Sequence, residues 1–357
     1  MHIPSSTLAA LLLAVISAQA QDKIEWTDIR KLTLEGQAWQ ETKAPFDRLP
    51  AKVEKEVRAP VWSLSRHSAG LCARFVTDAQ TIRATWTLTS ARLAMPHMPA
   101  TGVSGLDLYV KTDKGWRWLS VGFPRAQKNQ VTLIRGLPEG EREYLVYLPL
   151  YNGVSEVKIG VPKGKKLTPA PARKNSKPIV FYGTSITQGG CASRPGMVHT
   201  AILGRKLNYP VVNLGFSGNG RMELIIGKLM AEIDAAVYVI DCLPNMTAAD
   251  VSKRTVPLVK LLRKARPKTP ILLVEDRTYS NAFLIPSKKQ RNVQSRKALK
   301  KAYQTLIKEK VEHLHYLEGE GLLGEDNEGT VDSSHPTDLG FLRQADVFEK
   351  ALKPLLK

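Results

Sequence analysis

The chain of 357 residues, 43% hydrophobic and 24% charged, has the composition of a folded protein and room for roughly two domains. Its longest apolar run, residues 8–18, falls short of the ~20 residues a membrane-spanning helix needs, which excludes a polytopic membrane protein. The net charge of +19 is spread over both halves, with 26 basic and 15 acidic side chains in 21–178 and 26 and 18 in 179–357. That spread suits an anionic surface or acidic polysaccharide, not the single basic stripe of a nucleic-acid reader.

The apolar run closes on Ala18-Gln19-Ala20, with small residues where a signal peptidase reads. Residues 1–20 are expected to be a secretory signal peptide, although His2 is the only basic candidate ahead of the run. The mature protein is then exported, to a periplasm or beyond the cell. Three cysteines, Cys72, Cys191 and Cys242, are too few for a disulfide scaffold, and no C-x-x-C zinc pattern occurs.

Residues 60–161 carry short alternating segments at 71–76, 81–88, 107–110, 116–121, 130–134, 143–148 and 155–161. Period-two runs with turn residues at short intervals predict an antiparallel β-sandwich, a jelly roll being one way to build it. No helical pattern interrupts them. All six tryptophans, 26, 39, 62, 86, 116 and 118, lie in this half; core packing is the expected role of each, and stacking on a sugar the alternative. Residues 162–178 hold four prolines, six basic residues and no acid, which predicts an extended, solvated connector. The expected domains are therefore a sandwich over 21–162, a basic Pro-rich linker over 163–178, and a second domain over 179–357.

There the pattern changes to strands at 179–183, 211–215, 237–241, 271–275 and 314–317. Amphipathic helices alternate with them near 197–207, 221–233, 248–265, 288–309 and 338–355. Apolar strands alternating with helices predict a parallel sheet covered on both faces, whose ligands sit beyond the carboxyl ends of the strands. The first strand ends in Gly183-Thr-Ser185, with Ser185 on a strand-to-helix turn. The second ends in Phe216-Ser-Gly-Asn219, where a glycine lets a backbone amide face a ligand. The third ends in Pro244-Asn245-Met246, which supplies a side-chain amide. Near the C-terminus, Asp332 and His335 share a tight segment, and Pro336 biases His335 away from helix. His313 and His315 alternate on a strand with no third ligand nearby, so a structural role is expected. In chain order these supply a nucleophile, oxyanion donors, an orienting acid and a base, the parts of an acyl-transfer site.

On those residues the sequence resembles the SGNH hydrolases, or GDSL esterases and lipases. Their four name-giving residues match in order as Ser185, Gly218, Asn245 and His335. Gly105-Leu-Asp-Leu-Tyr109 is similar to the Gly-x-Asp-Leu-Tyr motif of the β-sandwich that precedes a subset of them. Two positions depart: Gly-Thr-Ser replaces Gly-Asp-Ser, and Met246 stands where many members have Asp. The resemblance implies a three-layer, flavodoxin-like hydrolase domain. In it Ser185 is the nucleophile, His335 the base and Asp332 its orienting acid, with the oxyanion bound by Ser185, Gly218 and Asn245. It implies no metal and no cofactor. Neighbouring first and third strands imply a Cys191–Cys242 disulfide with Cys72 as the spare. The function expected is a secreted esterase removing short acyl groups, acetyl foremost, from a carbohydrate; the alternatives are a lipid or aryl esterase and an inactive glycan-binding protein. No nucleic-acid partner is expected.

Overall fold

The computed structural model describes residues 23–356, so the expected signal peptide over 1–20 lies outside the described residues. The first half folds through β1 (Ile24–Asp28), β2 (Thr33–Glu35), α1 (Ala59–Ser65), β3 (Cys72–Thr77), β4 (Thr81–Leu88) and α2 (Ala100–Val103). It continues through β5 (Leu106–Thr112), β6 (Gly115–Gly122), β7 (Lys128–Arg135), β8 (Arg142–Tyr147), β9 (Val154–Pro162) and β10 (Leu167–Pro169). The sandwich has one sheet ordered β1-β9-β4-β7 and another ordered β10-β3-β8-β5-β6, with β2 also on β3. Strand β4 shows why: Ile82, Ala84, Trp86 and Leu88 are buried while Thr81, Arg83, Thr85 and Thr87 are not, the signature of a strand covered on one face. The inward set packs with Phe75, Tyr144 and Val157.

Three expectations need correction here. Two short helices, α1 and α2, interrupt the strands; at seven and four residues neither spans enough turns to print a 3.6-residue period. The basic segment 163–178 is not a free connector, since Leu167–Pro169 pairs antiparallel with β3. Within it, Arg173 buries its side chain in an ion pair with Glu35 at 2.8 Å, a partner that composition cannot reveal. The tryptophans divide: Trp86 is fully buried, whereas Trp118 is half exposed.

The second half runs β11 (Ile179–Gly183), α3 (Ser185–Gln188), α4 (His199–Leu207), β12 (Val211–Gly215), α5 (Leu224–Glu232), β13 (Val237–Asp241) and α6 (Ala248–Ala265). After these come β14 (Ile271–Val274), α7 (Pro286–Lys308), β15 (Leu314–Leu317) and α8 (Asp338–Leu352). The five strands are parallel in the order β12-β11-β13-β14-β15, the doubly wound order whose switch point lies at the first strand. One face packs Phe181, Val239 and Leu272 against Leu203, Phe341 and Phe348. The other packs Tyr182, Leu214 and Ile240 against Ile226, Leu258 and Leu299, and also against Leu49, Val53, Val57 and Val61 from the first half.

The halves are buckled a second time by the Gly-x-Asp-Leu-Tyr segment. Asp107, fully buried, accepts from Arg194 Nη1 at 2.8 Å and the Gly196 amide at 2.7 Å, both on the second half, and from Trp118 Nε1 at 2.9 Å. Its carboxylate is pushed up by burial, and Arg194 opposes this. Tyr109 Oη accepts from Arg194 Nη1 as well, at 2.5 Å. Among the described residues, no helix is long and apolar enough to cross a membrane.

Candidate active site

Strand β11 delivers Ser185 to the carboxyl edge of the parallel sheet. Thr184 caps the following turn through its hydroxyl, which accepts from the Ile186 amide at 3.2 Å. Gly189, with φ +115, ends that turn. Ser185 is 7% exposed, and its Oγ lies 2.8 Å from His335 Nε2. His335 Nδ1 lies 2.7 Å from Asp332 Oδ2. The other carboxylate oxygen of Asp332 accepts from the His335 amide at 2.8 Å and the Ser334 amide at 3.0 Å. Partial burial pushes this carboxyl up, but the His335 amide and ring outweigh it and hold Asp332 below the usual carboxylate value.

The segment carrying His335 is closed on itself by the Val331 amide donating to His335 O at 2.8 Å. It is pinned from outside by the Ser280 amide on Ser333 O at 3.0 Å and by Lys288 Nζ on Ser333 Oγ at 2.5 Å. Thr337 then caps α8, its hydroxyl accepting from the Gly340 amide at 3.2 Å.

After β12 the chain folds into a tight turn, with the Asn219 and Gly220 amides on Phe216 O at 2.8 and 2.9 Å. Gly218 sits in it at φ +68 with no atom within 4 Å of a built Cβ, so the backbone conformation, not space, demands glycine there. Asn245 follows β13, and hydrogen bonding fixes its carboxamide: the oxygen accepts from Asn219 N at 3.0 Å and Gly220 N at 3.2 Å. That turns its Nδ2 donor away from the turn. The structure thus brings Ser185, Gly218, Asn245, Asp332 and His335 to one edge of one sheet.

A solved GDSL-like lipase from Bacteroides ovatus ATCC 8483 superposes on this chain with a TM-score of 0.89 at 33% identity, over 94% of this chain and 98% of its own. The protein belongs to the GDSL-like lipase/acylhydrolase family. The family model matches residues 176–353, and a model of the N-terminus of SGNH-hydrolase-type esterases matches residues 24–167. It is accordingly a carboxylic ester hydrolase. More distant matches share the fold. The salicylyl-acyltransferase SsfX3 of a tetracycline biosynthetic pathway is 18% identical, with a TM-score of 0.75 over 93% of this chain and 97% of its own. The acetyl xylan esterase Est2A of Butyrivibrio proteoclasticus is 10% identical, with a TM-score of 0.56 over 93% and 98%. Curated protein sequences give no match.

The hydrolase holds this edge with residues that sequence reasoning missed, and most come from the first half. Arg48, only 2% exposed, donates to Asn213 O at 2.9 Å and Gly215 O at 2.7 Å at the end of β12. It also donates to Leu64 O at 2.7 Å and His67 O at 2.9 Å. Burial pushes its pKa down to about 9, and four carbonyls with the Phe216 ring, 5.1 Å away, stand in for a counter-ion. Arg58 grips the glycine turn itself, donating to Asn219 Oδ1 at 2.8 Å and Asn219 O at 3.1 Å while pairing with Glu223. Gln188 accepts from the Ser217 amide at 3.0 Å and reaches His67 Nδ1 and Leu150 O, each at 3.1 Å. Tyr151 Oη donates to Ser185 O at 3.2 Å. Nothing in periodicity separates these residues from other loop arginines, histidines and tyrosines.

Beneath the hydrolase site, Asp241 at the end of β13 accepts from Thr187 Oγ1 at 3.1 Å and pairs with Arg277. Arg277 in turn donates to Gln344 on α8 at 3.0 Å. This buried chain fixes the floor on which α3 rests.

The expected disulfide is not formed: Cys72, Cys191 and Cys242 are free, buried thiols. Although β11 and β13 are neighbours, Cys242 packs into the Tyr182–Ile240 face with its Sγ on Tyr182 O at 3.4 Å. Cys191 lies in the turn after α3, beside Tyr151 and Asp332. Burial pushes the Cys191 thiol up to about 12, so it is not a reactive thiolate. His313 and His315 line a cleft of about 770 Å³ with Lys174, Lys177 and Lys268, at the amino-terminal edge of the sheet away from Ser185. Among the described residues, no three His, Cys, Asp or Glu are grouped to hold a metal.

Proposed function

We propose that this protein is an exported serine esterase that removes short acyl groups, acetyl foremost, from a carbohydrate. The observation that carries the reading is the unbroken relay from Ser185 Oγ through His335 to Asp332, at 2.8 and 2.7 Å. Ser185 Oγ attacks the ester carbonyl as His335 Nε2 takes its proton. The tetrahedral intermediate collapses when His335 returns that proton to the leaving alcohol, and water repeats the cycle to free the acid. Asp332 keeps the proton on Nδ1 and stabilises the imidazolium.

The oxyanion falls to the Ser185 and Gly218 amides, neither of which donates to another group in the described chain, and to Asn245 Nδ2. Losing one such donor costs about 10²–10³ in rate. No step calls on a metal or cofactor. The carbohydrate assignment is supported by the acetyl xylan esterase that uses this fold, and export by Ala18-Gln19-Ala20.

One observation favours a second reading, a lipid or aryl esterase. Phe283 and Leu284, 70% and 72% exposed, lie on the segment that pins the His335 loop. Hydrolysis of p-nitrophenyl acetate, butyrate and octanoate decides between them. Turnover falling with chain length, and reduced at least about 10³-fold in Ser185→Ala, is the expected result. A rise toward octanoate overturns the short-acyl reading. No release of acetate, from these esters or from acetylated glycans, by folded wild type would leave the glycan-binding protein.

A further inference from the structure

The two outer faces of the sandwich have different fates. That of the β3-containing sheet is covered, with Tyr109, Leu145 and Tyr147 packed against Ala201 of α4. Among the described residues, that of the β1-β9-β4-β7 sheet has no such cover. Its outward residues follow the register in rows: Trp26, Gly160, Arg83 and Thr132, then Asp28, Lys158, Thr85 and Gln130, then Glu156, Thr87 and Lys128.

Trp26 lies across the sheet over Gly160. A Cβ built at 160 would come within 2.7 Å of both Cε3 and Cζ3 of the indole, so glycine is what lets the ring lie down there. The ring borders a shallow groove of about 420 Å³ shared with Thr85, Thr87, Lys128, Gln130 and Glu156, within the volume range of ligand sites. Trp39, Trp86 and Trp118 each donate their indole N–H to a protein oxygen. In the described chain the Trp26 N–H, the Thr85 and Thr87 hydroxyls, the Gln130 carboxamide and the Lys128 ammonium engage no partner.

The geometry points to a glycan-binding face here, separate from the catalytic edge, that takes an unbranched chain of equatorially linked pyranoses. A pyranose presents an apolar C–H face and a rim of hydroxyls, and the groove offers a flat indole beside the unused donors and acceptors of Thr85, Thr87, Lys128 and Gln130, with Glu156 and Lys158 paired to each other at 2.6 Å. An open groove also suits the middle of a chain, which must pass through, and not a chain end. This inference rests on the carbohydrate reading above. It deepens that reading by giving the sandwich the task of holding the polymer while Ser185 acts on it.

Titration calorimetry of the full chain carrying Ser185→Ala, with xylohexaose and cellohexaose as probes, tests it. At least one hexamer is expected to bind, and Trp26→Ala to weaken that binding at least about tenfold, as loss of an aromatic anchor does. Trp26→Ala removes a ring packed over Gly160, so Gln130→Ala, on β7 at the opposite edge of the sheet, is the second variant; it is expected to weaken binding several-fold with an unchanged melting temperature. In the active background both variants should hydrolyse p-nitrophenyl acetate at the wild-type rate. Binding of neither hexamer, or binding that both variants leave intact, overturns the proposal. Loss of p-nitrophenyl acetate turnover in the wild type would instead strike at the esterase reading.

Discussion

The two halves of this hydrolase divide the labour of one active site unequally. The parallel-sheet half supplies every atom proposed to react or to touch the oxyanion: β11, β12 and β13 end side by side with Ser185, Gly218 and Asn245 just beyond them, and the loop before α8 brings Asp332 and His335. The sandwich half supplies no such atom. Its Arg48, Arg58, His67 and Tyr151 instead bind the backbone and side chains on which the reacting groups sit. Reacting groups can thus be carried by one half while the geometry that makes them useful is set by the other. A site needs positions held to a fraction of an ångström, and the glycine turn after β12 is held from outside its own domain.

That contrast can be broken or sharpened by substitution. The largest expected effect is on the reacting side: Asp332→Asn should lower kcat by about 10³–10⁴-fold with the fold intact, read by steady-state kinetics. On the bracing side, Arg48→Met should cost stability before activity. It takes a donor from the carbonyls of 64, 67, 213 and 215, of which Leu64 O keeps the His67 amide, at about 3 kcal/mol in total; urea unfolding measures this, and an unchanged midpoint would remove Arg48 from the argument. Arg58→Ala is subtler, freeing Asn219 without removing a donor. A drop of about tenfold in kcat with KM little changed is expected, and partial recovery in Arg58→Lys would mark positioning, not folding, as the cause.

The smallest effect is on pH. Burial, with Arg48 beside it, pushes His67 down to about 4 from its ordinary 6.5, and the buried His199 is lowered too. As pH falls the unfolded chain takes these protons first, so stability held above about 6.5 should be lost progressively toward about 4. His67→Asn should flatten that slope in thermal melts.

Much of this was legible in the chain itself. Seven sandwich strands and five parallel strands announce themselves by period, the candidate Ser185 by turn chemistry at a strand end, and the candidates Asp332 and His335 by their spacing in a tight segment before Pro336. What escaped did so for physical reasons. Strands β1, β2 and β10 are three to five residues long, too short for alternation to show. Arg48 and Arg58 escaped because their partners on the second half are 161 to 167 residues away, and no local pattern encodes a distant carbonyl. The disulfide expectation failed because neighbouring strands fix neither the path of the turn that carries Cys191 nor the inward packing of Cys242 against Tyr182.

The strap of Leu49, Val53, Val57 and Val61, packed on the parallel sheet, bears on the order of assembly. During synthesis it emerges long before Val180, Val212 and Ile240, the strand residues that cover it, so it must wait uncovered while the sandwich strands are made. Contacts spanning this much chain are slow to close, and the apolar surface they leave open meanwhile invites aggregation. The finished molecule has a threaded seam: residues made early are among the last to be covered, and neither half can be completed without the other.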